Sequence, residues 1–293
     1  DKNAEKVPSG ELIIPEKYDG YTVSAVGYQC LYKNNDIESV VVPNCIQTIG
    51  QQAFCQCKNL TSVSLTDGLK KIETSAFSGC NLDGLTLPAS LTKVGANAFA
   101  ENISLTDAVI LGKTEFDSGT FKGCKNLVAV SFRNSIRVLP NEMFRECVKL
   151  QNIVFPTEVK KLGGYIFYRC NLLSEIVIPE TVTEIGDYGF AYTALQTVKI
   201  PNGMTEIGNW VFCECKNLNN VTIPETVKII GEGAFSDCAF VKISLPKRMS
   251  QIKNVAFWNC SALRKIALPE GITVIETQVF EGCVSLTDIY IPA

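Results

Sequence analysis

The chain has 293 residues, of which 46% are hydrophobic, so it is long enough to bury a large core in one or two domains. Its 27 Lys and Arg residues against 30 Asp and Glu residues give a net charge of −3. The sequence has no basic stripe, so a nucleic-acid partner is not expected. The chain contains no histidine, which removes the commonest general base and metal ligand, and its apolar runs are far shorter than the roughly 20 residues of a membrane-spanning helix.

Residues 1–20 are predicted to form an N-terminal cap or extension. The segment EKYDGYTVSAVG at 16–27 puts five more residues between Pro15 and Leu31 than later units have between their proline and their phenylalanine. We interpret the excess as a short extra loop before the repeats. A cap is expected here because a solenoid must cover the apolar edge of its first coil.

Residues 21–293 repeat one unit of 22 or 23 residues about 12 times, which predicts one continuous array. A phenylalanine marks each unit, and Leu31 holds the same place one unit earlier. An apolar residue lies five positions before it, as Ile49 and Ile230 do. The phenylalanines are Phe54, Phe77, Phe99, Phe121, Phe144, Phe167, Phe190, Phe212, Phe235, Phe257 and Phe280.

Each unit combines a very short strand with a tight turn. Alternating apolar residues before a proline, such as Val221 and Ile223 before Pro224, predict the strand, because proline removes the next backbone donor. The motif I-G-x-x-A-F predicts a turn followed by a helical or 3₁₀ turn. One unit cannot bury its own apolar face, so the units are expected to stack. The predicted fold class is an α/β repeat solenoid, with a short-stranded parallel sheet on one face and turns, 3₁₀ segments or short helices on the opposite face.

Two C-x-C pairs raise the question of a four-thiolate metal or redox site: Cys55 with Cys57 in FCQCKNL, and Cys213 with Cys215 in FCECKNL. The pairs lie seven units apart, so roughly 30 Å or more would separate them at the spacing of parallel strands. They cannot share a metal ion. We therefore predict no metal and no cofactor.

Cys57 and Cys215 belong instead to a column of residues three positions after each phenylalanine. Free cysteine behaves as a small hydrophobe, so the column is predicted to fill one buried corner of the solenoid as a cysteine ladder. Cys55 and Cys213, one position after the phenylalanine, are expected near the surface. The column contains Cys57, Cys80, Cys124, Cys147, Cys170, Cys215, Cys238, Cys260 and Cys283, and is broken by Asn34, Asn102 and Thr193.

The segment AENISLTDAVILGKTEFDS at 100–118 fits the repeat worst, because its proline is missing. Either Ala108 with Ile110 or Val109 with Leu111 could face the core. A slip of one residue would invert the two faces of the strand. The register of this unit stays open.

Aromatic residues occupy one turn position in three successive units. Tyr165, Tyr188 and Trp210 lie two positions before their phenylalanines, where other units carry Gln, Ser, Asn or Glu, and Tyr168 and Tyr192 lie just beyond two of those phenylalanines. Stacking of the units predicts a contiguous patch on the turn face, away from the strands. Such clusters favour contacts with protein or glycan. Packing of the bulky turns against one another is the alternative interpretation.

The C-terminal segment DIYIPA stops at the proline position of a repeat, without a polar capping unit. A solenoid needs a cap over its last apolar edge. Either the native chain continues, or this edge meets another molecule, which makes it a candidate for end-to-end self-association.

The units CNLLSEIVIPETVTEIGDYGF at 170–190 and CKNLNNVTIPETVKIIGEGAF at 215–235 resemble the BspA-like, Treponema-type subfamily of leucine-rich repeats, and the resemblance covers about residues 10–292. The cysteine and asparagine column precedes the strand, as this subfamily has it. The resemblance implies a right-handed leucine-rich repeat superhelix from a bacterial or protozoan surface protein. It further implies an adhesion or protein-interaction module that is secreted or at the cell surface.

No G-x-S-x-G, P-loop or G-x-G-x-x-G motif is present, so no catalytic residue and no enzymatic activity are predicted. The expected function is binding to a protein or glycan on a host or neighbouring cell, with a membrane reached only through an anchor outside this chain. A passive stalk or spacer that presents another domain is the alternative. The candidate binding residues are Tyr165, Tyr168, Tyr188, Tyr192 and Trp210.

Overall fold

The computed structural model describes residues 9–291. The first residues of the expected cap and the last repeat proline, Pro292, lie outside the described residues. The chain folds as two compact units, one that ends at Asn134 and one that begins at Ser135.

The first unit consists of short strands, most of them parallel. Its strands are β1 (Gly10–Ile13), β2 (Lys17–Tyr18), β3 (Tyr21–Thr22), β4 (Ala25–Val26), β5 (Ile37–Val41), β6 (Thr48–Ile49), β7 (Ser62–Ser64), β8 (Lys71–Ile72), β9 (Gly84–Leu87), β10 (Lys93–Val94), β11 (Asp107–Ile110), β12 (Glu115–Phe116) and β13 (Ala129–Phe132).

The second unit has the same construction. Its strands are β14 (Val138–Leu139), β15 (Asn152–Val154), β16 (Lys161–Leu162), β17 (Glu184–Ile185), β18 (Thr197–Lys199), β19 (Glu206–Ile207), β20 (Asn220–Thr222), β21 (Ile229–Ile230), β22 (Lys242–Ile243), β23 (Gln251–Ile252), β24 (Lys265–Ala267) and β25 (Asp288–Tyr290).

Each unit stacks two layers of parallel strands. In the first unit the longer strands pair as β1–β5–β7 and β9–β11–β13, and the two-residue strands pair as β4–β6–β8–β10–β12. In the second unit one layer contains the pairings β18–β20 and β22–β24–β25, and the other layer contains β14–β16–β17 and β19–β21–β23. Equivalent residues of successive repeats lie side by side, as Val40 and Val63 do. The parallel-strand solenoid predicted from the repeat is confirmed in both units.

The extra loop expected near the N-terminus contains an antiparallel hairpin of β2 and β3. Asp19 and Gly20 connect the strands with φ angles of 50° and 81°, the positive values that a two-residue hairpin loop of this kind requires. Before the hairpin, β1 already pairs with β5 in the parallel sheet. The segment expected to be a cap or extension therefore contributes a strand to the sheet.

The register of the irregular unit follows from the burial of β11. Ala108 and Ile110 are buried, whereas Leu111 is exposed. Ala108 pairs with Leu85 and Ile110 with Leu87 of the preceding repeat. Alternation of a strand then directs Val109 towards the outer face. The neighbouring strands decide the face that the sequence left open.

The turn face contains no helix in residues 9–291, so the α/β class and the predicted short-helix or 3₁₀ segments are wrong. Two residues in each turn, one on either side of the phenylalanine, have positive φ. Around Phe54 they are Gln52 and Gln56, with φ of 56° and 62°. A right-handed helix requires negative φ throughout, so two left-handed residues in five exclude it.

The hydrogen bonds of the turn alternate between local and inter-coil partners. The N–H of Ala53 donates to the carbonyl of Gly50 within its own turn at 3.2 Å, whereas the N–H of Phe54 donates to the carbonyl of Ala76 in the next coil at 2.8 Å. Because two residues of the turn are left-handed, every second N–H group of the turn points along the stacking direction. The turns thereby satisfy their backbone donors as a third stacked layer, without a helix.

The phenylalanine column forms the core, as predicted. Residues from Phe54 to Phe257 in this column are completely buried, and Phe280 is half-buried. Within each unit successive rings stack nearly parallel, with centroids 5.0 Å apart for Phe54 and Phe77 and 5.2 Å for Phe167 and Phe190. One large apolar ring per coil gives each unit a continuous core.

Candidate binding surface

The candidate aromatic residues occupy a left-handed position of the turn in the second unit. Tyr165, Tyr188 and Trp210 have φ of 56°, 58° and 58°. Each donates its backbone N–H to a carbonyl of the following coil, at 2.7–3.1 Å. Because these bonds repeat with each coil, the three side chains leave the turn at equivalent points and line up along the stacking direction.

The three rings form a stacked row. The centroids of Tyr165 and Tyr188 are 4.8 Å apart with an interplanar angle of 9°, and those of Tyr188 and Trp210 are 5.8 Å apart with an angle of 6°. The next coil has Gly233 at the same position, where a Cβ atom would lie 2.2 Å from the Trp210 ring. The indole therefore lies over the bare backbone of Gly233, and the row ends there.

One further tyrosine packs edge-on against the row, and a second packs edge-on against the first. The Tyr168 centroid lies 5.5 Å from that of Tyr165 and 6.4 Å from that of Tyr188. Tyr192 packs against Tyr168 at 5.3 Å, with an angle of 69°. The structure thus brings all five candidate aromatic residues into one contiguous group.

Two arginines, which the repeat pattern does not single out, complete this group. The Arg145 guanidinium carbon lies 5.7 Å from the Tyr165 centroid and 5.4 Å from that of Tyr168. The Arg169 guanidinium carbon lies 5.3 Å from the Tyr168 centroid and 5.6 Å from that of Tyr192. These distances fit cation–π contacts. In the sequence, Arg145 lies one position after Phe144 and Arg169 lies two positions after Phe167. These positions were the signal from which both arginines could have been placed on the turn face. We call the five aromatic residues with Arg145 and Arg169 the aromatic–arginine cluster.

The two arginines differ in their acidic neighbours. One guanidinium nitrogen of Arg145 lies 3.2 Å from the Glu142 carboxylate, and its Nε lies 3.4 Å from that of Glu146. Arg169 is exposed, and no carboxylate of residues 9–291 lies within 4.0 Å of its guanidinium. Arg145 is therefore ion-paired on both sides within its own turn, whereas Arg169 forms no ion pair with a residue of the described part of the chain.

All five aromatic side chains of the cluster are half-buried. Burial raises the pKa of the Tyr188 phenol, and burial followed by the nearby Glu214 carboxylate raises the pKa of Tyr192. Within residues 9–291, neither the four phenol hydroxyls nor the Trp210 indole N–H has a hydrogen-bond partner, yet none of these atoms is buried. The rings therefore pack through their faces and leave their polar atoms in contact with solvent.

The cysteine column forms a series of buried hydrogen bonds. The Cys57 thiol donates to the carbonyl of Leu31 at 3.0 Å, and the Cys170 thiol to that of Phe144 at 3.2 Å. Burial raises the pKa of Cys57 to about 11. Where the column lacks cysteine, Asn102 contributes an amide donor to Phe carbonyls. The property that these column members share is a small side chain that donates a hydrogen bond to a main-chain carbonyl.

Cys55 and Cys213 are buried, with 7% of each residue exposed, so the expectation that they lie near the surface is wrong. A small side chain one position after the phenylalanine is covered by the adjacent coils, as Ser236 is in the coil after Cys213. A long side chain at this position extends past its neighbours, and Trp258 is 39% exposed. Burial raises the pKa of Cys213 to about 12. Within residues 9–291, no three Cys, Asp or Glu side chains are grouped so that they could hold a metal ion.

Three further tyrosines, which were not predicted as site residues, lie near the N-terminus. Tyr18 and Tyr21 face each other across the hairpin and are 73% and 78% exposed. Tyr28 is 65% exposed. The sequence signal was the Asp-Gly turn between two tyrosines. These rings make none of the stacked contacts that organise the aromatic–arginine cluster within residues 9–291.

In each unit, the two layers of parallel strands, the buried phenylalanine column and the thiol column define a leucine-rich repeat solenoid. The profile of the BspA-type leucine-rich repeat region, in six copies, matches residues 24–115, 113–218 and 183–293, and the chain belongs to this family. The resemblance that the repeat units carry is confirmed.

Solved structures with this fold come from several bacteria. A leucine-rich repeat protein of Bacteroides ovatus is 26% identical, with a TM-score of 0.69 over 95% of this chain and 86% of that chain. The T. pallidum leucine-rich repeat protein is 30% identical, with a TM-score of 0.51 over 55% of this chain and 76% of that chain. A leucine-rich cell surface protein of Faecalibacterium prausnitzii shares 20% identity, with a TM-score of 0.51 over 98% of this chain and 89% of that chain.

No curated protein sequence matches the chain. In the described part of the chain, no helix has the length and apolar character to cross a membrane.

Proposed function

We propose that the chain is a non-enzymatic interaction and adhesion module of a secreted or surface-exposed protein, and that it binds a host or cell-surface macromolecule through the aromatic–arginine cluster. The observation that carries the proposal is the ordered group of five aromatic and two arginine side chains, whose polar atoms reach solvent. Tyr, Trp and Arg are the residues most enriched among binding hot spots.

Preorganisation supports a binding role for the cluster. Tyr188 is held on both faces by Tyr165 and Trp210, and the Arg169 side chain rests against Tyr168 and Tyr192. Side chains that are already ordered lose little conformational entropy when a partner binds. The same contacts stabilise the turns, so packing and binding are compatible roles for these rings.

Family membership supports the location and the class of activity. Leucine-rich repeat proteins are typically non-enzymatic binding proteins. The Faecalibacterium structure belongs to a cell surface protein, and its likeness to this chain is one of fold. A secreted or surface location for this chain agrees with that fold.

Binding of the chain to immobilised extracellular-matrix proteins and immobilised glycans tests the proposal. We compare the unmodified chain with Trp210→Ala and with Trp258→Ala, which removes an exposed indole outside the cluster. Truncation of a hot-spot residue costs about 2 kcal/mol or more, so Trp210→Ala should weaken binding about 30-fold. Trp258→Ala should leave the affinity unchanged. Binding to none of the probes, or equal affinities for all three chains, would overturn the proposal and leave a passive stalk as the function.

A further inference from the structure

Arg169 forms no ion pair within residues 9–291, and in this it differs from two charged residues at the same turn position. Glu146 holds this position one coil earlier and Glu214 two coils later. Glu146 lies 3.4 Å from Arg145, and Glu214 lies 3.0 Å from Lys216. Both acids are thus paired with a cation of their own coil. Within residues 9–291, Arg169 contacts two aromatic rings and has no carboxylate within 4.0 Å of its guanidinium.

The contacts of Arg169 orient its guanidinium. Its carbon atom lies 5.3 Å and 5.6 Å from the centroids of Tyr168 and Tyr192. Cation–π contacts leave the N–H groups available, and the planar guanidinium can donate two parallel hydrogen bonds to one carboxylate. The unpartnered hydroxyls of the same two tyrosines add further donors at this place.

The arrangement of the rings disfavours a sugar as the ligand. A pyranose binds to an aromatic side chain by covering an open ring face, and the stacked row offers few such faces. Tyr188 is covered on both sides by Tyr165 and Trp210, and the far side of the indole lies over Gly233. Within residues 9–291, the cluster leaves accessible a set of ring edges, the phenol hydroxyls and the guanidinium of Arg169, which has no ion pair there. Such a surface suits a polypeptide better than a glycan.

We propose that the partner is an acidic protein segment, and that an Asp or Glu carboxylate of this segment binds the Arg169 guanidinium. This inference rests on the proposed function and names the partner class of the same surface. Arg169 sets the preference for a carboxylate, while the edges of the tyrosine and tryptophan rings contact apolar parts of the segment. An arginine can form a charge-assisted bidentate hydrogen bond with a carboxylate, and a lysine cannot. The preference for a carboxylate should therefore be weaker with lysine at position 169.

Two pools of synthetic 12-residue peptides test the inference. The pools have the same random positions, and they differ only at fixed positions, where one pool has Glu and the other has its neutral isostere Gln. Retention on the immobilised full chain is measured for both pools and for a sulfated oligosaccharide. The variants are Arg169→Gln, Arg169→Lys, Trp210→Ala and the control Arg248→Gln, which makes the same charge change at an exposed site outside the cluster. Thermal melting verifies that each variant is folded.

The unmodified chain should retain the Glu pool at least about tenfold better than the Gln pool, which corresponds to about 1.4 kcal/mol. Arg169→Gln should abolish this preference, Arg169→Lys should reduce it, and Arg248→Gln should preserve it. Retention that depends on Trp210 but is equal for both pools, or dependence on Arg169 with the oligosaccharide alone, would overturn the inference and leave the proposed function intact. If neither the peptides nor the oligosaccharide is retained in a manner that depends on Trp210, the inference and the proposed function both fail.

Discussion

The thiol of Cys238 donates a hydrogen bond of 3.3 Å to the main-chain carbonyl of Phe212, one coil earlier. The same carbonyl accepts the N–H of Cys215 in its own coil at 3.2 Å, so both of its lone pairs are used. Cys260 and Phe235 repeat the arrangement at 3.1 Å. The cysteine column therefore joins successive coils through buried thiol–carbonyl bonds beside the phenylalanine stack.

The buried thiols should make the protein sensitive to alkali. Burial raises the pKa of Cys57 and Cys215 to about 11, whereas the pKa of a thiol in the unfolded chain is about 8.5. Below the unfolded value both states are protonated, and the stabilising contribution is fully present. As the pH rises towards the folded value only the unfolded state loses its proton, so each such thiol lowers the free energy of unfolding by about 1.4 kcal/mol per pH unit.

Urea unfolding at pH 7, 9 and 10 measures this dependence. The variant Cys57→Asn places in the column a residue type that it already contains, and its stability should fall less steeply with pH by about 1.4 kcal/mol per unit. Identical slopes for the variant and the unmodified chain would show that the Cys57 thiolate forms equally well in both states.

Alkylation of the native protein should distinguish two cysteines from the remaining eleven. Cys30 is exposed and Cys45 is partly exposed, whereas the other eleven are buried and free. Reaction with iodoacetamide at pH 8 without denaturant should modify only these two, because the thiolate is the reactive form and burial suppresses it. Intact-mass measurement counts the adducts before and after unfolding in urea. Disulfide-linked column cysteines in the native protein would contradict the hydrogen-bonded column.

Removal of one core ring should destabilise the second unit strongly. Phe190 is completely buried and stacks against Phe167 at 5.2 Å and Phe212 at 5.6 Å. Phe190→Ala should lower the free energy of unfolding by about 3–5 kcal/mol, through lost burial and the cavity that remains. Phe280→Ala is the comparison, and it should cost clearly less because Phe280 is only half-buried. Equal losses in denaturant unfolding would contradict the assignment of Phe190 to the core.

Relief of backbone strain at Val255 should stabilise the protein. Val255 has φ of 51°, a left-handed value that is unfavourable for a β-branched residue. Val255→Asn should raise the free energy of unfolding by about 1 kcal/mol, because asparagine tolerates this conformation. The control Val154→Asn replaces an exposed valine in β15 and should give no gain. A lower melting temperature for Val255→Asn would show that the contacts of the valine side chain outweigh its strain.

A methyl group at Gly233 should displace the Trp210 ring. Its Cβ would lie 2.2 Å from the indole, so the ring must move towards solvent. In a Trp258→Phe background, where Trp210 is the sole tryptophan, Gly233→Ala should shift the fluorescence maximum to longer wavelength. Gly84→Ala is the control, because a Cβ there makes only ordinary contacts of 3.7 Å. An unchanged spectrum for Gly233→Ala would mean that the indole does not lie over this glycine.

Much of the fold was predictable because the repeat exposes it directly. A phenylalanine every 22 or 23 residues can be buried in every coil only if the coils stack, and all but the last of the column are completely buried. The same periodicity predicted that Tyr165, Tyr188 and Trp210 would lie in one row. Arg145 and Arg169 escaped notice because long side chains from two different turn positions converge on the same rings, which spacing alone does not reveal.

The sequence by itself determined the period, the phenylalanine core, the cysteine column and the row of aromatic residues, since each depends only on which residue recurs at which position. Tertiary structure decided the rest. Neighbouring strands set the face of Ala108, adjacent coils buried Cys55 and Cys213, and inter-coil hydrogen bonds held the turns in left-handed conformations instead of a helix. These features depend on contacts between coils. A local sequence pattern does not identify which residue of the neighbouring coil makes each contact, so only the folded structure determines them.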